Sequence, residues 1–132
     1  PNTDLVRLVA AAADLCRKPL RHAVIDLDAS DSDPAAAATA GSRIDRCLRL
    51  EVRSPEGERL PHEDLELELY RSGADLHLTL AWSSAEDRPM LWQGSHPVWM
   101  DGLSGQRCER PPEGQPLEAL ARRLRALLVE AG

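Results

Sequence analysis

The sequence is poor in aromatic residues and almost free of lysine. It has no Phe, one Tyr and three Trp among 132 residues, and Lys18 stands alone against fifteen arginines. Leucine must therefore supply most of the bulk of a buried core. Hydrophobic residues make up 42% of the chain and charged residues 29%. These fractions are close to the globular average, and they argue against a disordered chain.

Long apolar runs and an excess of positive charge are also missing. A helix needs ~18 consecutive apolar residues to cross a bilayer, and no run approaches that length. The 22 acidic residues outnumber the 16 basic ones, which gives a net charge of −6 at pH 7. A chain of this charge repels a phosphate backbone. We therefore expect neither nucleic acid nor a membrane as a partner, and because no leader segment is recognisable we predict a cytoplasmic location.

Neither the cysteines nor the histidines have the spacing of a metal site. The three cysteines, Cys16, Cys47 and Cys108, are odd in number and far apart, and no C-x-x-C motif occurs. None of the four histidines lies three or four positions from another histidine or from a cysteine. A disulfide framework and a zinc site are both unexpected on this spacing. We predict no metal and no cofactor.

The spacing of apolar residues predicts two helices around an antiparallel sheet. Helical spacing runs from Asp4 to Lys18 and again from Pro116 towards the end of the chain. Between the helices, an alternation with a period of two predicts strands at Arg21–Asp28, Arg43–Arg53, Leu65–Tyr70 and Leu76–Trp82, then Pro89–Trp99 as one bent strand or two short ones, with Ala29–Ser42 as an exposed loop. We therefore predict one α+β domain over residues 1–132. It is a two-layer sandwich, in which an antiparallel meander of about five strands is flanked by the N- and C-terminal helices.

The dipeptide Ser72-Gly73 predicts a two-residue hairpin turn between two of these strands. If Arg71 faces Ala74, each leucine of the first strand meets a leucine of the second, in the pairs Leu69 with Leu76, Leu67 with Leu78 and Leu65 with Leu80. The opposite face then carries Glu68 opposite His77, which is typical of a solvated pair. The sheet is therefore predicted to have one dry face of leucines and one wet face.

One acidic motif bears on catalysis. The run Ala23-Val24-Ile25-Asp26-Leu27-Asp28-Ala29-Ser30 resembles the first motif of the haloacid-dehalogenase phosphotransferases, an apolar strand that ends in D-x-D-x-[ST]. The resemblance implies Asp26 as the nucleophile that accepts the phosphoryl group, Asp28 as the general acid, and a bound magnesium ion. It also implies a parallel doubly wound sheet and a later lysine, whereas Lys18 precedes the motif and the strands after residue 43 are predicted to be antiparallel. We therefore expect the chain not to be an enzyme.

Nearly all the aromatic and thioether side chains fall in residues 82–100. One interpretation is that a chain without Phe uses Trp to fill its core beneath a helix. The other is an exposed apolar patch with the residue types that are enriched at protein interfaces. On the second interpretation the candidate binding residues are Trp82, Met90, Trp92, His96, Trp99 and Asp101.

The segment Pro89–Gly102, together with the terminal helix rich in Leu and Arg, is similar to small uncharacterised cytoplasmic proteins of cyanobacteria. This resemblance implies a bacterial cytosolic origin. It implies no activity.

Three functions are compatible with these observations. The first is a non-enzymatic protein-binding or assembly module, with a chaperone-like role, whose partner is another protein or a second copy of the chain. The second is a carrier of a small apolar ligand, which requires an internal cavity on the order of several hundred Å³ lined by Trp82 or Trp99. The third is the phosphotransferase that uses Asp26. We favour the first.

Overall fold

One antiparallel sheet with a helix before it and a helix after it is the frame of the structure. The structure is a computed structural model that describes residues 2–27, 46–72, 75–84, 87–112 and 114–131. Within these ranges the elements are α1 (Asn2–Cys16), β1 (Arg21–Asp26), β2 (Arg46–Arg53), a short 3-10 helix (Pro61–Glu63), β3 (Leu65–Ser72), β4 (Asp75–Trp82), β5 (Met90–Gln93), β6 (Pro97–Met100), β7 (Arg107–Cys108) and α2 (Gly114–Ala131).

The seven described strands form one sheet in sequence order, and every pair of neighbours is antiparallel. The predicted α+β class and the antiparallel meander are therefore confirmed. The predicted count of about five strands is wrong for two reasons. Pro89–Trp99 divides into β5 and β6 around residues 94–96. β7 is only two residues long, which is too short to show an alternation in sequence.

Leucine builds the core, as the composition predicts. Ten of the twelve largest fully buried side chains among the described residues are leucines. The ten leucines come from one face of the sheet and from the facing side of α2, and α1 contributes Val9. α1 packs mainly over β1, α2 packs over β4 and β5, and the two helices touch each other. This core includes Leu48, Leu50, Leu65, Leu67, Leu69, Leu78, Leu80 and Leu91 of the sheet, Val9, Ala12 and Ala13 of α1, and Leu117, Leu120, Ala121 and Leu124 of α2.

The predicted register of the β3–β4 hairpin is wrong by two residues. Leu67 lies opposite Leu80, and Leu69 lies opposite Leu78. The error leaves every leucine on the same face, because side-chain direction in a strand repeats every two residues. The register in the structure also places Trp82 opposite Leu65 and Leu76 opposite Arg71, so the number of apolar pairs stays at three.

The shifted register also removes a predicted polar pair. Glu68 lies opposite Thr79 instead of His77, and His77 lies opposite Tyr70. β3 continues through Ser72 and β4 begins at Asp75, so part of the predicted Ser72-Gly73 turn belongs to β3 and the rest is outside the described residues. The predicted pair of Glu68 with His77 is therefore wrong.

β1 alternates as predicted, but its inward side carries polar residues. His22 is buried and Val24 is half-buried on the side that faces α1, whereas Ala23 and Ile25 are exposed on the other side. The ring of His22 forms hydrogen bonds with residues of α1 and of the segment after it. These bonds explain why a polar side chain is stable on the inward side of β1. Asp28 and the predicted loop Ala29–Ser42 are outside the described residues.

The dependence of the fold on leucine burial can be tested with one matched pair of substitutions. Leu67 is fully buried in the interior strand β3, and Leu103 is 81% exposed in the turn after β6. We expect Leu67→Ala to lower the free energy of unfolding by about 3 kcal/mol, because it removes buried methyl groups and leaves a cavity. Leu103→Ala should change it by less than ~0.5 kcal/mol. Urea denaturation measures both, and equal effects would contradict the described core.

Candidate functional site

The sheet has a second face that points away from the helices, here called the open face. Because every described strand alternates, the residues next to the buried leucines in sequence lie on this face. Both described helices pack on the leucine side. The open face carries Ala23, Ile25, Cys47, Arg49, Glu51, Arg53, Glu66, Glu68, Tyr70, His77, Thr79, Ala81, Met90, Trp92, Val98, Met100 and Arg107.

The half of the open face over β2 and β3 is charged. Arg49 forms an ion pair with Glu66 at 3.5 Å, and both side chains are about two-fifths exposed, at 42% and 39%. The Tyr70 hydroxyl donates a hydrogen bond to the Glu68 carboxylate. This half is therefore a solvated surface with local partners for its charges.

The half over β4, β5 and β6 is apolar. Met90 lies opposite Met100, and Trp92 lies opposite Val98. The register of β4 and β5 places Ala81 beside Met90. All five side chains are half-buried although no described helix lies over them. These five residues, Ala81, Met90, Trp92, Val98 and Met100, are called the apolar strip below.

Trp92 is held flat on the open face by its neighbours. Its indole stacks on the His77 ring with 5.2 Å between ring centroids and 17° between planes. A Cβ atom on Gly94 would lie 2.7 Å from indole Cη2 and 3.0 Å from His77 Nδ1. Gly94 therefore leaves the space in which the two rings stack. Directly opposite Trp92 on β4, the strand that also carries His77, lies Thr79, which is only 8% exposed.

The other two tryptophans lie on the leucine face. Trp82 is 3% exposed and Trp99 is 4% exposed, and their ring centroids are 6.4 Å apart. Trp99 Nε1 donates a hydrogen bond to Glu118 Oε2 of α2 at 2.7 Å. The Arg88 guanidinium lies 3.7 Å from the centre of the Trp82 ring. Both indoles are therefore core side chains, and the Trp99 hydrogen bond also fastens α2 to the sheet.

The last two predicted site residues lie in turns. His96 is exposed between β5 and β6. Asp101 Oδ1 accepts hydrogen bonds from the backbone N–H groups of Ser104 at 3.0 Å and Leu103 at 2.8 Å. These bonds lower the pKa of Asp101, and they show that its carboxylate shapes the turn after β6.

The structure thus divides the six predicted site residues among three places. Met90 and Trp92 share the open face, Trp82 and Trp99 share the core, and His96 and Asp101 lie in separate turns. Ala81, Val98 and Met100 complete the apolar strip but were not predicted as site residues. The missed signal is parity: residues an even number of positions apart within a strand share a face.

The acidic motif does not form the site that its resemblance implies. The Asp26 carboxylate is 6% exposed and forms an ion pair with Arg46 on the side of β1 that faces the helices. The sheet is antiparallel in all its described strand pairs, so the implied parallel doubly wound sheet is wrong. Asp28 is outside the described residues. Among the residues that are described, no group of three or more His, Cys, Asp or Glu could hold a metal ion.

A cavity of about 520 Å³ opens at the C-terminal end of α1. Arg17, Lys18, His62 and Glu63 contribute charged or polar groups to its wall, together with apolar residues that include Leu20. Trp82 and Trp99 do not line it. The cavity is therefore not the apolar interior space that the carrier hypothesis requires.

A buried polar chain lies beside this cavity. The His22 ring is fully buried; its Nδ1 lies 2.9 Å from Asp14 Oδ1 and its Nε2 lies 3.1 Å from Arg17 Nη1. Arg17 Nη2 also donates to Glu63 Oε2 at 2.8 Å. Because the Arg17 guanidinium can only donate, Nε2 accepts and Nδ1 carries the proton that is donated to Asp14. Both ring nitrogens are thus engaged, so His22 joins α1, β1 and the 3-10 helix and has no free nitrogen for acid–base chemistry.

Residues 6–127 match a protein family described as a domain of unknown function, DUF8659. The chain belongs to the DUF8659 family. The family description names neither an activity nor an organism, so it does not bear on the predicted similarity to cyanobacterial proteins. No match was found among curated proteins or among solved structures. Within the described part of this DUF8659 chain, neither helix is long and apolar enough to span a membrane.

The buried His22 should make the stability of this DUF8659 chain depend on pH. Burial lowers the pKa of His22 below its ordinary value of 6.5; the charge of Arg17 acts in the same direction, and the hydrogen bond to Asp14 opposes both. The unfolded chain then takes up a proton near pH 6.5 while the folded protein resists it. We expect the free energy of unfolding to be highest above this pH and to fall as the pH decreases towards the folded pKa.

The test is urea denaturation at a series of pH values between about 7.5 and about 5.5. His22→Gln should flatten the slope, because it removes the titrating group. His62→Gln is the control, because the His62 side chain is 70% exposed, and it should keep the slope. A slope that is unchanged in His22→Gln would count against this assignment.

The different places of the three tryptophans predict a fluorescence experiment. In dilute protein, iodide should quench Trp92 on the open face far more than Trp82 or Trp99 in the core, because a charged quencher does not enter the core. Trp92→Phe should therefore remove most of the iodide-dependent loss of fluorescence. Equal quenching in the native chain and in Trp92→Phe would show that Trp92 is covered.

Proposed function

We propose that this chain is a non-enzymatic protein-binding module and that the apolar strip is its binding surface. The observation that supports the proposal is the position of Trp92, Met90 and Met100. They lie on the sheet face that neither described helix covers, whereas the helices already bury the leucine face. Trp and Met are enriched in the buried centres of protein interfaces.

The shape of the surface favours a protein over a small ligand. Small-molecule sites are concave and enclose most of the ligand, whereas protein partners bind across broad, shallow surfaces. The apolar strip follows the surface of the sheet across β4, β5 and β6. The cavities found among the described residues near α1, at about 520 Å³ and 420 Å³, include none of the strip residues.

The titratable groups support a role without catalysis. Both ring nitrogens of His22 are engaged, and the Asp26 carboxylate is paired with Arg46. A catalytic site needs a nucleophile or general base within reach of a substrate. The finer predictions, a chaperone-like or assembly role in a bacterial cytoplasm, stay predictions.

Site-specific photo-crosslinking tests the proposal. A photo-crosslinking amino acid at position 92 should capture a protein partner in cells of the native host. The same amino acid at position 122, which is exposed on α2, is the control and should capture that partner much less. Mass spectrometry identifies the captured protein.

The captured protein is then purified and its binding is measured with substituted chains. Met100→Glu should weaken binding at least about tenfold, because it places a carboxylate in the centre of an apolar interface. Ala126→Glu, on the exposed side of α2, should leave binding unchanged. If a folded Met100→Glu chain binds as well as the native chain, the apolar strip is not the binding surface.

A further inference from the structure

We infer that the partner on the open face is a second copy of this chain, packed face to face about a two-fold axis that runs along the strands over β5. This inference rests on the proposed function, since it uses the apolar strip as the contact surface. It adds the identity of the partner, the symmetry of the pair and one charged contact that the second copy completes.

One row of side chains across the open face carries the argument. Glu66 lies opposite Ala81, and Ala81 lies beside Met90. Met90 lies opposite Met100, which lies opposite Arg107. From β3 to β7 the row therefore begins with an acid, passes through three apolar residues and ends with a base. β5 is at its middle, with two strands on each side.

The charges at the two ends distinguish between the possible two-fold axes. A two-fold axis perpendicular to the strands would place β3 of one copy on β3 of the other. Glu66 would then face acidic side chains of the second copy, and Arg107 would face Arg107. An axis along the strands over β5 places β3 on β7 of the second copy. Glu66 of each copy then meets Arg107 of the other. Opposite charges across an interface favour this arrangement and disfavour the first.

The same axis brings apolar side chains together at the centre. Met90 and Trp92 lie on β5, so each faces its own copy across the axis. β4 then faces β6 of the second copy, which puts Ala81 against Met100 and Thr79 against Val98. An interface of this kind follows the usual pattern of an apolar centre with charged residues at the rim.

Both Glu66 and Arg107 are accessible for an ion pair with the second copy. The Glu66 side chain is 39% exposed, and its ion pair with Arg49 is long at 3.5 Å. Arg107 is exposed, and among the described residues its side chain has no hydrogen bond or ion pair. Each two-fold pair contains two contacts of Glu66 with Arg107, which makes a charge reversal act twice.

The experiment is sedimentation equilibrium of the purified full chain over about 1 µM to about 1 mM, the range expected for a small interface. About 0.15 M salt is used, because the net charge of −6 on each copy is then screened beyond ~8 Å. We expect a monomer–dimer equilibrium for the native chain. Glu66→Arg alone and Arg107→Glu alone should each weaken the dimer about tenfold or more, since each creates two contacts between like charges.

An equimolar mixture of the two single variants gives the decisive result. In a mixed dimer, the arginine introduced at position 66 of one copy meets the glutamate introduced at position 107 of the other, and the second contact keeps the native Glu66 and Arg107. We therefore expect the mixture to dimerise about as well as the native chain. Loss of the pair with Arg49 in Glu66→Arg cannot produce this rescue, because that pair lies within one chain. Arg122→Glu on α2 is the matched charge reversal and should leave the dimer unchanged.

The remaining outcomes separate this inference from the proposed function. If the native chain stays monomeric while position 92 captures a different protein, the partner is not a second copy. The proposed protein-binding function is then kept and the dimer is rejected. A dimer that neither reversal weakens, or that mixing does not restore, overturns this interface. A monomer with no capture from position 92 overturns both. In the expected case, iodide quenching of Trp92 falls as the protein concentration rises through the dimer transition.

Discussion

Burial of leucine between one sheet face and two helices is the constraint on which the rest of this structure depends. With no Phe available, the strands place leucine after leucine on one side, and α1 and α2 cover that side. Two helices suffice for one face only. Every strand that contributes a buried residue therefore also presents its neighbours on the open face. Most of these neighbours are charged over β2 and β3, but over β5 and β6 they are Met90, Trp92, Val98 and Met100. Burial of the leucine face leaves the open face uncovered by helices. The residue types on the open face do not follow from the packing of the core.

The alternation of leucines was sufficient to predict the faces of β2, β3 and β4, because burial of one face leaves only one parity possible. It could not predict the β3–β4 register, since a shift of two residues preserves every face and gives the same number of apolar pairs. The same limit applied to the candidate site. Parity groups Met90 with Trp92 in β5 and Val98 with Met100 in β6, but only the register, in which Leu91 lies opposite Trp99, shows that the two groups share a face. The sequence pattern thus predicts on which face of the sheet a side chain lies, whereas contacts between distant segments decide which residues lie opposite each other.

Polar residues on the inward side of β1 show a different limit. His22 and Asp26 look like a wet face when β1 is considered alone, yet their partners are Asp14 and Arg17 on one side and Arg46 on the other. A buried polar group is stable only when such partners are in place. The role of Gly94 could not be predicted from the sequence either, because Gly94 acts through the space that it leaves for the stacked rings of Trp92 and His77. Neither feature has a local signature in the sequence.

The order of the strands has a consequence for how the chain acquires this structure. Each strand pairs with the next one along the chain, so the sheet can grow by adding one hairpin at a time. During synthesis from the N-terminus, the leucines of β4 and β5 are complete before α2 exists to shield them. Until α2 emerges, the nascent sheet exposes apolar side chains on both of its surfaces, and this interval is when the chain is most vulnerable to aggregation.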